Sequence, residues 1–170
     1  MAEAQPAART GRNESTEEKM DRNWMELIQE LRVLQTGVQI LGGFLLTLPF
    51  QARFSQLDDW QTGLYLFNVL VAALTTILIV IPVSIHRRLF RRGLKVTLVS
   101  SADTITKLAL AGVTILIVGS AALVFDVTVG HTAGLVTGAF IILVVLVFVV
   151  GMPFWIHHRA VRNNGILKED

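Results

Sequence analysis

The sequence predicts an all-α membrane protein, a four-helix transmembrane bundle with a cytoplasmic N-terminal amphipathic helix. Two observations carry this. Of 170 residues, 52% are hydrophobic and only 16% charged, a balance outside that of ordinary soluble domains. The apolar residues also gather in four runs, each near the ~20 residues an α-helix needs to cross about 30 Å of hydrocarbon. A membrane barrel would alternate apolar and polar residues along each strand, and these runs do not.

Residues 1–14, rich in alanine, polar and charged residues, have little apolar surface to bury and are expected to be disordered. Residues 15–32, STEEKMDRNWMELIQELR, read as a juxtamembrane helix. Ser15 and Glu18 have capping-box spacing, and Met20, Trp24, Leu27 and Leu31 recur at helical intervals. Such a helix lies against headgroups or the inner end of the bundle, or docks another protein. A transmembrane domain at 33–158 follows, with spans at about 33–50, 62–85, 104–125 and 132–156, and then a tail at 159–170. The first apolar run starts too late and runs too long for a cleavable signal, so it is expected to be retained.

All Lys and Arg except Arg53 and Lys107 lie before the first span, in the loop HRRLFRRGLK, or in the C-terminal tail. The positive-inside rule therefore predicts that both termini and that loop are cytoplasmic, and that QARFSQLDDW and DVTVGH lie outside. Trp24, Trp60, Tyr65 and Trp155 fall near the predicted boundaries, as interfacial aromatics do. Arg87, Arg88, Arg91 and Arg92 set topology and would attract anionic lipid headgroups at about 1 kcal/mol each. That is a simpler reading of the basic loop than nucleic-acid binding.

Polar residues recur on one face of three spans. At 100° per residue, Arg32, Gln35, Thr36, Gln39, Gly42, Gly43 and Thr47 fall within an arc of roughly 140°. Lipid cannot hydrogen-bond an amide, so this stripe must face other helices or a wet cavity. Gln61, Asn68, Ala72, Thr75 and His86 share a narrower face of the second span, within about 60°. Asp103, Lys107, Thr114 and Ala121 share one of the third, with Asp103 and Lys107 at ion-pair spacing. The three faces are expected to converge, with Gln35 and Gln39 hydrogen-bonding against Asn68 and Thr75. In the fourth span Gly130, Gly134 and Gly138 repeat every four residues, a close-packing device. Its outer half should press on another helix, and its inner half, AFIILVVLVFVV, should touch lipid.

ELRVLQTGVQILGGFLLTLPF and IPVSIHRRLFRR resemble a group of small four-span actinobacterial membrane proteins classed as a domain of unknown function. The resemblance spans roughly residues 26–160. Members are sometimes labelled sodium:proton antiporters, which would imply ion transport, and the group brings no catalytic or binding residues with it. Exchange of that kind normally uses a carboxylate deep in the membrane. Here Glu30 and Asp103 sit at cytoplasmic mouths, Asp58 and Asp59 in an outer loop, and Asp126 at an outer end.

Enzymatic chemistry finds no support. The chain has no cysteine. His157 and His158 point about 100° apart on a helix, and His86 and His131 belong to opposite membrane sides. No HExxH, GxSxG or phosphate-cradling glycine loop occurs, and neither a metal nor a cofactor is expected. PVSIHRR and PFWIHHR share P-x-x-I-H-x-R, which hints at a duplicated hairpin, but Gln35 and Gln39 have no counterparts 71 residues on. The expectation is a structural or accessory subunit that forms a homo-oligomer or packs with another membrane protein. The alternative is an ion-transport protein whose polar route is lined by Gln35, Gln39 and Asn68.

Overall fold

A computed structural model describes residues 16–89, 95–152 and 155. Over that range the chain is helical apart from short turns. It contains four helices long and apolar enough to cross a membrane.

Helix α1 (Thr16–Thr47) is continuous over 32 residues, about 48 Å at 1.5 Å per residue. The expected juxtamembrane helix and the first span are thus one rod, longer than the hydrocarbon is thick. Ser15, the expected cap, lies outside the described residues. A short 3₁₀ turn at Leu48–Phe50, carrying Pro49, ends the rod, because proline lacks the N–H that another helical turn would need. A second 3₁₀ turn, Phe54–Gln56, brings Phe54 edge-on to Tyr65 with ring centroids 5.0 Å apart.

Helix α2 (Asp59–Leu89) starts at a reciprocal cap. The Gln61 backbone N–H donates to Asp58 Oδ1 at 2.8 Å, and the Asp58 backbone N–H donates to Gln61 Oε1 at 3.2 Å. Two backbone donors that the helix leaves orphaned are satisfied this way. The helix continues through buried Pro82. Helix α3 (Lys95–Val129) is followed, after Gly130 alone, by α4 (His131–Val145). Gly130 has φ 128°, a conformation that side chains rarely tolerate. In the fourth span, α-helix then gives way to a wider π-helical turn at Leu146–Gly151, just ahead of Pro153.

The buried positions step by seven residues: Leu31, Val38 and Leu45 on α1, Tyr65, Ala72 and Ile79 on α2, and Ala102, Ala109, Leu116 and Leu123 on α3. A seven-residue repeat keeps one seam facing its neighbours along the whole length of a helix, as in left-handed coiled coils. α1, α2 and α3 each pack on the other two, whereas α4 packs along α3 and meets α2 where the His131 and Trp60 rings touch. The four expected helices of spanning length are all present. Three helices share the core, and the fourth is laid against the back of one of them. The reason is legible in α4 itself, where Gly134 and Gly138 are its buried residues and the rest of the helix has no second face to sink. A cleft therefore separates α2 from α4, floored by α3.

Candidate functional site

Among the described residues, the buried polar side chains are Asn68, Thr75 and Asp126 of the α2–α3 seam and Thr106 of α3, which bonds to its own Ala102 carbonyl. Asn68 and Thr75 are 0% and 2% exposed. Each lies over a glycine of α3. A Cβ built on Gly119 would collide with the Asn68 amide, and one on Gly112 with the Thr75 hydroxyl. One heptad further out, Gln61 reaches Asp126, its Nε2 donating to Oδ1 at 2.7 Å. The three contacts thus step by seven along both helices in opposite directions, Gln61, Asn68, Thr75 against Asp126, Gly119, Gly112. Polar groups at such positions fix the register of packed helices, since a slipped partner leaves them unpaired.

The Asn68 amide is half satisfied. Nδ2 donates to the Leu64 carbonyl at 2.8 Å, and Oδ1 is buried without a donor. Leu116, fully buried, lies on α3 between Gly112 and Gly119, so the seam is polar at intervals with apolar packing between them.

Asp126 caps the seam. Its side chain is 3% exposed, although it lies only one turn from the end of α3. Besides Gln61, His131 Nδ1 stands 2.9 Å from Oδ2. A carboxylate can only accept, so that ring nitrogen carries the proton. The Trp60 and His131 rings meet edge-on at 5.5 Å beside this pair. A buried carboxylate is tolerable only when donors surround it, and here donors from α2 and from α4 do so. Gly134 makes the approach possible, because a Cβ there would stand 2.7 Å from Asp126 Cβ and 2.9 Å from the Ala122 carbonyl oxygen.

The other expected residues are placed differently. Arg32, Gln35, Gln39 and Gly43 are exposed on the flank of α1, and Gly42 is half-buried. The expected hydrogen bonds from Gln35 and Gln39 to Asn68 and Thr75 do not form, because α1 turns its Leu31, Val38, Leu45 face to the core and its amides away. Gln39 instead lines a shallow α1–α2 groove beside Thr76. Gly42 packs against Ala72 with an ordinary contact of 3.5 Å, whereas Gly43 meets open space. Lys107 and Asp103 form the ion pair that their spacing predicts, at 2.7 Å, but on an exposed face. The three stripes therefore do not converge. Gly134 and Gly138 press on α3 through Asp126, Ala122 and Val118, while Gly130 packs nothing and serves the turn. Arg87 and Arg88 fall in the last turn of α2. Arg91, Arg92, His157 and His158 lie outside the described residues, as does Pro153 of the second P-x-x-I-H-x-R stretch.

Among the described residues, no three His, Cys, Asp or Glu side chains gather where they could hold a metal ion. The site is a hydrogen-bonded carboxylate at the meeting point of three helices. Sequence reasoning placed Asp126 at an outer end and missed that it points inward. The signal was present in the matched seven-residue steps of α2 and α3.

Such an architecture, four long apolar helices pinned by one buried polar seam, is consistent with a membrane protein. A model of a family of unknown function, DUF6328, matches residues 13–153, and the chain belongs to that family. No curated protein matches the chain. No solved structure matches it either.

Proposed function

We propose that this chain is a non-enzymatic structural or accessory subunit of the bacterial inner membrane, with both termini cytoplasmic, which oligomerises or packs into a larger membrane assembly through the flank of α1. The observation that carries this reading is the exposure of Gln35 and Gln39 on a helix apolar enough to span the bilayer. Hydrocarbon offers an amide no partner, and each unsatisfied group costs several kcal/mol. A second protein surface supplies donors and acceptors, and exposed Gly43 lets a backbone come close. The basic residues flanking the spans support the orientation, and Arg87, Arg88, Arg91 and Arg92 would meet anionic headgroups.

Ion transport is the second reading, and one observation favours it. Asp126 is a carboxylate buried inside a candidate span, and buried intramembrane acids are kept chiefly for function. One experiment weighs the two. The Gln35→Leu/Gln39→Leu double variant should lose its oligomer on detergent gel filtration while keeping its helix content, and native protein in sodium-loaded vesicles should show no flux above empty vesicles. Sodium or proton flux that disappears in Asp126→Asn, with subunit number unchanged in the double variant, would replace the first reading with the second.

A further inference from the structure

The cleft between α2 and α4 encloses about 480 Å³. Leu64 and Phe67 of α2, Ile115 and Val118 of α3, and Leu135 and Ile142 of α4 line it. Its floor runs along α3 from Thr114 to Asp126, roughly 18 Å at 1.5 Å per residue. The groove is open along one side, and its apolar wall lies within the spans, where acyl chains are the solvent.

The mouth has a chemical sign. A second groove of about 340 Å³, lined by Asp59, Trp60, Gly63, Leu64 and Phe67, continues the cleft through the three residues they share. Asp59 and Asp126 line this continuous surface, and no Lys or Arg does. Arg53 lines a different groove, against the end of α3. Asp59 is exposed, and Asp126 lies just beneath Trp60 and the half-exposed His131.

From the apolar cleft and its acidic mouth, we infer that this surface is a lipid site: one acyl chain lies between α2 and α4, and its headgroup carries a primary ammonium against Asp59, above Asp126. The lipid belongs to the leaflet opposite the basic α2–α3 connection. An anionic headgroup is disfavoured there by the two carboxylates. The inference is independent of the α1 interface, which uses another face of the molecule.

The test uses the full chain purified in detergent, mixed with equal amounts of dioleoyl-phosphatidylethanolamine and dioleoyl-phosphatidylglycerol, and read by native mass spectrometry. The wild type should retain the ethanolamine lipid about fivefold over the glycerol lipid, as one headgroup charge contact predicts. Asp59→Asn, an exposed change outside the buried cluster, should bring that ratio close to one. Ala139→Phe fills the cleft from α4, where Ala139 is exposed, and should lower retention of both lipids about tenfold with helix content unchanged. Equal retention of the two lipids by the wild type would overturn the headgroup assignment. Undiminished ethanolamine lipid in Ala139→Phe would overturn the chain site. A change of subunit number in Ala139→Phe would show that the cleft receives protein instead.

Discussion

Asn68 and Gln39 are both neutral amides in the middle of long apolar helices, yet the fold treats them oppositely. Asn68 is fully buried over Gly119, with its amide nitrogen bonded to its own helix. Gln39 stands on the outside of α1, beside a glycine that meets nothing. The α2–α3 seam is therefore assembled within one chain, although Asn68 Oδ1 keeps no donor, whereas in the proposed reading a second protein covers the α1 flank. The contrast teaches that polarity in a span marks a contact without saying whether the contact is internal. What distinguishes the two cases is the partner helix. α3 supplies Gly112, Gly119 and Asp126 at the same seven-residue step as the polar residues of α2, and among the described residues no helix supplies a matching row for α1.

The comparison breaks first at its glycines. Gly119→Leu drives a side chain into Asn68, and because the seam is filled on both sides the helices must separate. The expected result is loss of folded protein, or destabilisation of about 3 kcal/mol or more, in a detergent unfolding assay. Gly43→Leu, facing open space, should leave the unfolding of the single chain unchanged and weaken the oligomer. If both variants unfold alike, the division into an internal and an external face is wrong.

Asp126→Ala comes next. It leaves the Gln61 amide and the His131 ring without their acceptor, and should destabilise by about 3 kcal/mol. Gln61→Leu removes one donor of several and should have a smaller effect, about 1–2 kcal/mol. A thermal melt in detergent ranks the two. Equal and negligible shifts would mean that the outer cluster does not hold α4 in place.

The smallest effect is also the most specific. Gln39→Leu and Asn68→Leu should each change single-chain stability by about 1 kcal/mol or less. Because the two residues face different neighbours, the double variant should be additive to within about 0.5 kcal/mol. A coupling larger than that would restore direct contact between the α1 and α2 stripes.

Much of this arrangement can be read from the residues alone, and the part that cannot has a definite cause. The four helices fall where the apolar runs do. The shared face of Gln61, Asn68, Ala72 and Thr75 and the Asp103–Lys107 pair follow from 100° per residue, since both are properties of one helix. The tight approach at Gly134 and Gly138 follows from their lack of side chains. What a helical wheel leaves open is azimuth relative to neighbours, so it placed the α1 stripe against α2 when Leu31, Val38 and Leu45 had the stronger claim to the core. Asp126 was hidden for a related reason. Position along the sequence puts it near a membrane boundary, and only the register of α3 against α2 turns it inward beneath Gln61. The cleft beside α4 was equally out of reach, because a uniformly apolar helix does not say which of its faces stays bare.

The most direct test of the central claim, that the flank of α1 is covered by protein, is disulfide cross-linking in native membranes, which the cysteine-free chain permits without background. Single-cysteine variants Gln39→Cys and Asn68→Cys are oxidised and then probed with a membrane-impermeant maleimide. The account predicts a cross-linked dimer for Gln39→Cys or, where the partner is a different protein, protection from the maleimide. It predicts neither cross-link nor labelling for Asn68→Cys. Free labelling of Gln39→Cys without cross-linking would show a wet, uncovered stripe and contradict the account.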